Sequence, residues 1–292
     1  MRFPQHDRED IKKARRYLES LITSDTDLHE FLQEYFSHHV HRLGMHLVYL
    51  REQLKPGDSW LDVGSFGIEA AVLTQEMPDV TIRALSLEGN RIGIRDQALT
   101  EMPDNVRAIQ IDSVDVESER FPYGDSCFDL VTCFDVVEHL KSSPVPMMLE
   151  IKRVLSPEGR LVLTTPNTVS YASVRRMLSG WPPQHCPFYH RSLKYGVIHP
   201  KEYTVEEVHN LLSCLGFVDI ELSTFDSRPM TKSEQAAALL CKSLELLRNS
   251  FRKGTKQFYR GESILAVASK GGAVISETPE LIFGPDIDRE NP

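Results

Sequence analysis

From Trp60 onward the chain alternates short apolar runs with helical stretches, and this alternation leaves few folds open. Residues 60–64, 80–88, 106–112, 128–135 and 159–166 read as strands, and residues 68–76, 91–100 and 146–155 between them repeat their apolar positions at helical spacing. Such a series implies right-handed βαβ crossovers, hence a mostly parallel sheet with helices on both faces. A helix over 204–215, a strand over 218–224, a helix over 231–252 and a last strand over 263–270 complete an α/β, doubly wound, Rossmann-like pattern. Upstream, residues 8–54 carry helical periodicity that Lys55-Pro56-Gly57-Asp58 stops. The expected organisation is a helical cap over 1–55 and a main domain over 56–270. Within that domain an aromatic insertion spans 168–203 and a helical insertion 228–260, and a polar, unpacked tail follows from 271 to 292.

Bulk properties narrow the function classes. A formal net charge of −9 argues against a phosphate-tracking surface, so no nucleic acid is expected as partner. The five cysteines (Cys127, Cys133, Cys186, Cys214, Cys241) show no CxxC spacing and suggest neither a disulfide frame nor a zinc site. The charged N-terminus lacks the apolar stretch of a secretory signal, and no apolar run approaches the ~18 residues of a membrane span. A cytoplasmic location is the expectation, and a homodimer is left open.

The strongest local signal is Leu61-Asp62-Val63-Gly64-Ser65-Phe66-Gly67 at the end of the first strand. A glycine turn there lets backbone approach a ligand, and the following helix offers its N-terminal N–H groups. The second strand ends in Leu87-Glu88-Gly89-Asn90, where a carboxylate is placed to accept both hydroxyls of an adenosine ribose. The alternative is a turn built for its own sake and a surface acid.

The run Arg120-Phe121-Pro122-Tyr123-Gly124-Asp125-Ser126-Cys127-Phe128-Asp129-Leu130-Val131, followed by Asp135-Val136-Val137-Glu138-His139-Leu140, resembles class I methyltransferases of the ubiquinone-type (type 11) group. In that group an L-P-F-x-D-x-x-F-D-x-V run leads to an E-H-L or E-H-V box. Val154-Leu155-Ser156-Pro157-Glu158-Gly159-Arg160-Leu161 is similar to its L-K-P-G-G-x-L opening of the fifth strand, and Thr165-Pro166-Asn167 and Leu215-Gly216-Phe217 follow in order. The resemblance spans residues 56–270 and implies S-adenosylmethionine as cofactor and S-adenosylhomocysteine as product. It places Asp62 and Gly64 beside the methionine part, Glu88 on the ribose, Asp112 at the adenine amino group and Phe134 over the strand ends, with Ser65 and Gly67 of the same turn also at the cofactor. Phe66 stands where the group usually has its second glycine, Ser86 competes with Glu88, and Asp115 competes with Asp112.

The acceptor is expected to be a small molecule or glycan. His199-Pro200-Lys201-Glu202-Tyr203-Thr204 is similar to an H-x-R-E-Y-T box of bacterial methyltransferases encoded with polysaccharide genes, as are Thr164–Asn167 and Trp181-Pro182-Pro183. Tyr171, Trp181, His185, Phe188, Tyr189, His190, Tyr195, His199 and Tyr203 crowd the insertion, as a lid over a hydroxyl-rich ring would require or as a small satellite core. Methylating a hydroxyl requires its proton to leave, and His139, His190 and His199 are the base candidates. Asp135, Glu138 and His139 resemble a box that holds a divalent cation in some ubiquinone-pathway relatives; a Mg2+ ion is the alternative to the reading taken, in which Glu138 is structural and no metal ligand is assigned. Glu34–Arg42 resembles a Y-x-x-H-x-x-R helix whose Tyr35, His38 or Arg42 would reach the site, or else form an amphipathic cover.

Overall fold

A computed structural model describes residues 39, 42–64, 67–86, 111–183, 199–227, 230–251 and 259–283. Helix α1 covers 42–53. It is followed by β1 (Ser59–Val63), α2 (Ile68–Glu76), β2 (Thr81–Ser86), β3 (Ile111–Ser113) and β4 (Phe128–Phe134). A 3-10 turn at Val137–His139 leads to α3 (Val145–Val154), β5 (Leu155–Pro166) and α4 (Tyr171–Leu178). The chain continues through α5 (Val205–Cys214), β6 (Val218–Phe225), α6 (Lys232–Phe251), β7 (Ser263–Ser269) and α7 (Glu280–Phe283). The expected strands and helices that lie in described segments are all present, most within a few residues of their expected ends. Residues 91–100 lie outside the described residues. No helix among the described residues is long and apolar enough to cross a membrane.

The seven strands form one sheet in the order β3-β2-β1-β4-β5-β7-β6. All pairings are parallel except those of β7, which runs antiparallel to β5 and β6. Strand order therefore reverses between β1 and β4, which open the crevice in which such sheets bind ligands. Side chains alternate across the sheet as its pleat requires. Leu61, Val63, Val131, Cys133, Leu161 and Leu163 join the core beneath α3 and α5. Trp60, Ala84, Leu130, Val162 and Leu265 join the second core beneath α1 and α2. Fully burying each large apolar side chain contributes about 1.5–3 kcal/mol, so the two layers hold the sheet from both faces.

Segments on both sides of the expected main domain pack against it. In the described part of the N-terminal cap, Leu43, Leu47, Leu50 and Leu54 are buried with Trp60 and Leu73 in the second core. The polar stretch expected as a tail is docked up to Phe283. Ile275 and Ser276 donate their N–H groups to the Cys214 carbonyl at the end of α5, and Lys152 donates from Nζ to the carbonyls of Leu215 and Gly272. Helix-terminal carbonyls need partners, and a segment poor in apolar residues supplies them through its backbone, which a hydropathy reading does not register. The helical insertion also has a place, because α6 packs against α4 and buries Ala237, Ala238 and Cys241.

Local contacts fix the strand ends. Gly64 follows β1 with φ +74°, and a Cβ built on it would stand 2.4 Å from Val136 Cγ2. At the opposite edge, the Ser59 N–H and hydroxyl both donate to Asp129 Oδ2, at 2.9 and 2.8 Å. Gly64→Ala is expected to cost about 1–2 kcal/mol for the left-handed backbone and about 1–3 kcal/mol for overpacking. In denaturant unfolding, Gly64→Ala with Val136→Ala should be less destabilised than the sum of the two single variants. Burial raises the Asp129 carboxyl, but its bonds from Ser59 and Ser156 outweigh this and hold it below the usual range. Its contribution is therefore present above about pH 4 and fades as pH falls through the depressed value. Asp129→Asn should flatten that acid limb, at a cost of about 0.5–1 kcal/mol at neutral pH.

Candidate functional site

Two groups of side chains meet at the carboxyl ends of β1, β4 and β5. The first is built on β1. Asp62 is 2% exposed, and its Oδ1 accepts from the Thr132 hydroxyl at 2.7 Å. That hydroxyl in turn accepts from the indole N–H of Trp60 at 2.8 Å. The chain of donors fixes the carboxylate beside the turn at Gly64. Gly67 then caps α2 in the left-handed region, φ 75°, with no side chain serving as cap. The N–H groups at a helix start are suited to an anionic ligand. Ser65 and Glu88, both assigned to the cofactor from sequence, lie outside the described residues.

Beside this turn, α1 contributes a residue that the sequence reading missed. His46 is buried, and its Nδ1 donates to Glu69 Oε1 of α2 at 3.0 Å. Its ring stacks on Phe134 with centroids 4.0 Å apart and planes at 17°. Phe134, expected over the strand ends, is thus packed against α1. Its position in β4 puts its side chain in the layer of Leu130 and Thr132. The helical spacing Arg42-x-x-x-His46 was the available signal, since it sets both side chains on one face of α1.

Asp112 lies on β3 and accepts from the Tyr123 hydroxyl at 2.7 Å. Asp115, its rival from sequence, is taken up by a local turn. Asp115 Oδ1 accepts from Glu117 N–H and Oδ2 from the Ser118 hydroxyl. That turn explains the extra length before Pro122.

The second group surrounds the exit of β4. Asp135 adopts φ 53°, a conformation that costs a non-glycine residue energy and that Asp tolerates better than most. Arg42 Nε holds its carboxylate at 3.0 Å. Burial raises the Asp135 carboxyl, and Arg42 followed by His46, His39 and His139 brings it below the usual range. Glu138 is 1% exposed, and its Oε2 accepts from the Thr165 hydroxyl at 2.9 Å. Burial and the neighbouring Asp135 push Glu138 up to about 8, with His199 pulling the other way.

His139 and His199, two of the three base candidates, are brought together from positions 60 apart, with ring centroids 4.6 Å apart and planes at 73°. His139 Nε2 stands 3.9 Å from Glu138 Oε1. His199 Nδ1 is 2.9 Å from Glu202 Oε1. A carboxylate only accepts, so Nδ1 carries the proton and Nε2 is the basic nitrogen. Glu202 was the missed partner; its spacing of three from His199 is the signal that was there to read. An isolated bridge of Asn167 to Tyr203 ties this box to the end of β5. His190, like residues 184–198 generally, lies outside the described residues. Within the described part of the insertion, Trp181 is 65% exposed and Tyr203 is buried.

Comparison with known proteins fits this geometry. The profile of a methyltransferase domain family matches residues 28–222. Among solved structures, a SAM-dependent methyltransferase from Thermotoga maritima is 15% identical, with 82% of this chain and 96% of that chain covered and a TM-score of 0.50. A protein from Haloferax volcanii, solved in complex with the Trm112 methyltransferase activator, is also 15% identical, with 82% and 93% covered and a TM-score of 0.50. A phosphoethanolamine N-methyltransferase from Haemonchus contortus, solved with S-adenosyl-L-methionine, is 18% identical over 77% of this chain and 52% of that chain, with a TM-score of 0.46. At these identities the first two likenesses speak for the fold alone. No match was found among the curated proteins. The strand order, the site at its reversal and the family profile together place the chain in the methyltransferase domain family.

Proposed function

We propose that this protein transfers the methyl group of S-adenosylmethionine to a hydroxyl of a small molecule, a sugar or glycan precursor. The observation that carries the reading is the convergence of Glu138, His139 and His199 beside the β1–β4 crevice. A sulfonium methyl is already activated, so the protein's share is positioning and removal of the acceptor's proton. A buried carboxylate with two imidazoles, one of them oriented by Glu202, is equipped for that removal.

The residues around Gly64 fit the cofactor. Gly64 excludes a side chain from the turn, and Gly67 leaves the start of α2 without a side-chain cap. Asp62, Gly64, Ser65 and Gly67 would hold the methionine part, Glu88 the ribose hydroxyls and Asp112 the adenine amino group. The cofactor supplies the electrophilic carbon when bound. Asp62 would orient its amino group as an acceptor locked by Thr132, and α2 would offer N–H groups to its carboxylate. Phe134, through its stack on His46, would form the wall between this part and α1.

The acceptor class has weaker but independent support. Trp181 presents an open aromatic face on the insertion, and stacking on such faces suits ring substrates. The net charge of −9 disfavours polyanionic nucleic acid.

The test is transfer of labelled methyl to a panel of nucleotide sugars, free glycans and phenolic metabolites. An ether on a sugar hydroxyl is the expected product; a methylated nitrogen, protein or nucleic acid would contradict the acceptor class. Asp62→Asn should weaken S-adenosylmethionine binding about tenfold or more by calorimetry, the equivalent of one lost charge-assisted hydrogen bond. His139→Ala should lower kcat about 10²–10⁴-fold while leaving S-adenosylhomocysteine affinity unchanged.

A further inference from the structure

The cluster at the exit of β4 also has the composition and spacing of a metal centre. Glu138, His139 and His199 each offer one donor atom, and the three atoms lie within 4.8 Å of one another. The 3.9 Å between His139 Nε2 and Glu138 Oε1 is too long for a hydrogen bond. Two donors on one ion, each about 2.1 Å from it, stand about 3–3.5 Å apart. Closing the three onto an ion therefore takes side-chain rotations of about 1 Å and no movement of the sheet.

We infer that Glu138, His139 and His199 bind one divalent first-row transition ion. The groups behind these ligands are those that metal sites use. Glu202, itself 3% exposed, holds Nδ1 of His199 and so directs Nε2 to the ion, and the Thr165 hydroxyl holds Oε2 of Glu138 and turns Oε1 inward. Burying Glu138 close to Asp135 sets two carboxylates together in a low-dielectric place, where a cation offsets the cost. The donor set differs from the Asp135, Glu138 and His139 box read in the sequence. Asp135 is engaged by Arg42 at 3.0 Å, and an imidazole from the distant His199 takes its place. Two nitrogens and one oxygen suit Mn2+, Fe2+, Co2+, Ni2+ or Zn2+, whereas Mg2+ requires an octahedron of oxygens. Three protein ligands leave positions open, so an acceptor hydroxyl placed on the ion would be acidified there; with the ion bound this replaces the proton removal by a free imidazole proposed above, and without the ion that route stands. The binding site does not depend on which acceptor is methylated.

The test uses the full chain without an affinity tag, stripped by chelator dialysis and titrated calorimetrically with Co2+, Mn2+, Zn2+ and Mg2+. Visible absorption reads Co2+ ligation directly. One saturating equivalent of Co2+ with bands displaced from those of the hydrated ion is expected, with Mg2+ binding at least about tenfold weaker. His199→Ala should lose the Co2+ spectrum, Glu202→Gln should weaken Co2+ about 10–100-fold, and His209→Ala on α5 should leave it unchanged. Circular dichroism on each variant establishes folding, and Glu202→Gln serves if His199→Ala does not fold. No saturable Co2+ binding by the wild type, or equal affinity in wild type and the cluster variants, would overturn the site. A wild type that binds S-adenosylhomocysteine but not Co2+ removes the metal and leaves methyl transfer standing.

Discussion

The Thr132 hydroxyl stands in the middle of β4, where its neighbours on both sides of the sheet are apolar. It takes a hydrogen bond from Trp60 and gives one to Asp62, so one side chain joins the bulkiest core residue to the carboxylate at the mouth of the crevice. A buried carboxylate is tolerable only when such donors replace water. The register that pairs Asp62 with Thr132 also places Gly64 against Val136 and starts the 3-10 turn carrying Glu138 and His139. Positions of both the glycine turn and the acid–imidazole cluster thus follow from how β1 and β4 are paired.

Helix α1 joins these two halves. Arg42 pairs with Asp135 in its left-handed conformation, and His46 bridges Glu69 of α2 and the ring of Phe134. The Arg42–Asp135 ion pair lies where β4 turns toward His139, at a residue whose left-handed backbone costs energy. A helix that began as a cover over the sheet has therefore become part of the wall of the site. Its apolar residues are buried in the same core as those of α2.

The fold was legible because its signals are local. Alternating apolar runs mark β1, β4 and β5, and Thr204 with Glu207 forms the capping box that starts α5. The Asp62–Gly64 turn could likewise be read as a ligand approach, and His139 and His199 as base candidates. What was not legible depends on distance in the chain. That His199 meets His139 rests on a bridge between Asn167 and Tyr203, which no spacing announces. The roles of His46 and Phe134 required knowing which face of β4 meets α1, and the choice between Asp112 and Asp115 required seeing the turn that consumes Asp115. The docked segment up to Phe283 is held largely by backbone groups and so left no compositional trace.

The proposed function rests on one crevice, between the turn at Gly64 and the acid–imidazole cluster beyond β4, that would receive both the cofactor and its acceptor. A crystal structure of the full chain with S-adenosylhomocysteine tests that most directly. The adenosyl group is predicted to cross the carboxyl ends of β1 and β2 with its ribose on Glu88, and the sulfur to face Glu138, His139 and His199. A structure with the space beyond Gly64 filled by side chains and Glu88 turned away, or with the sulfur far from the two imidazoles, would contradict the account.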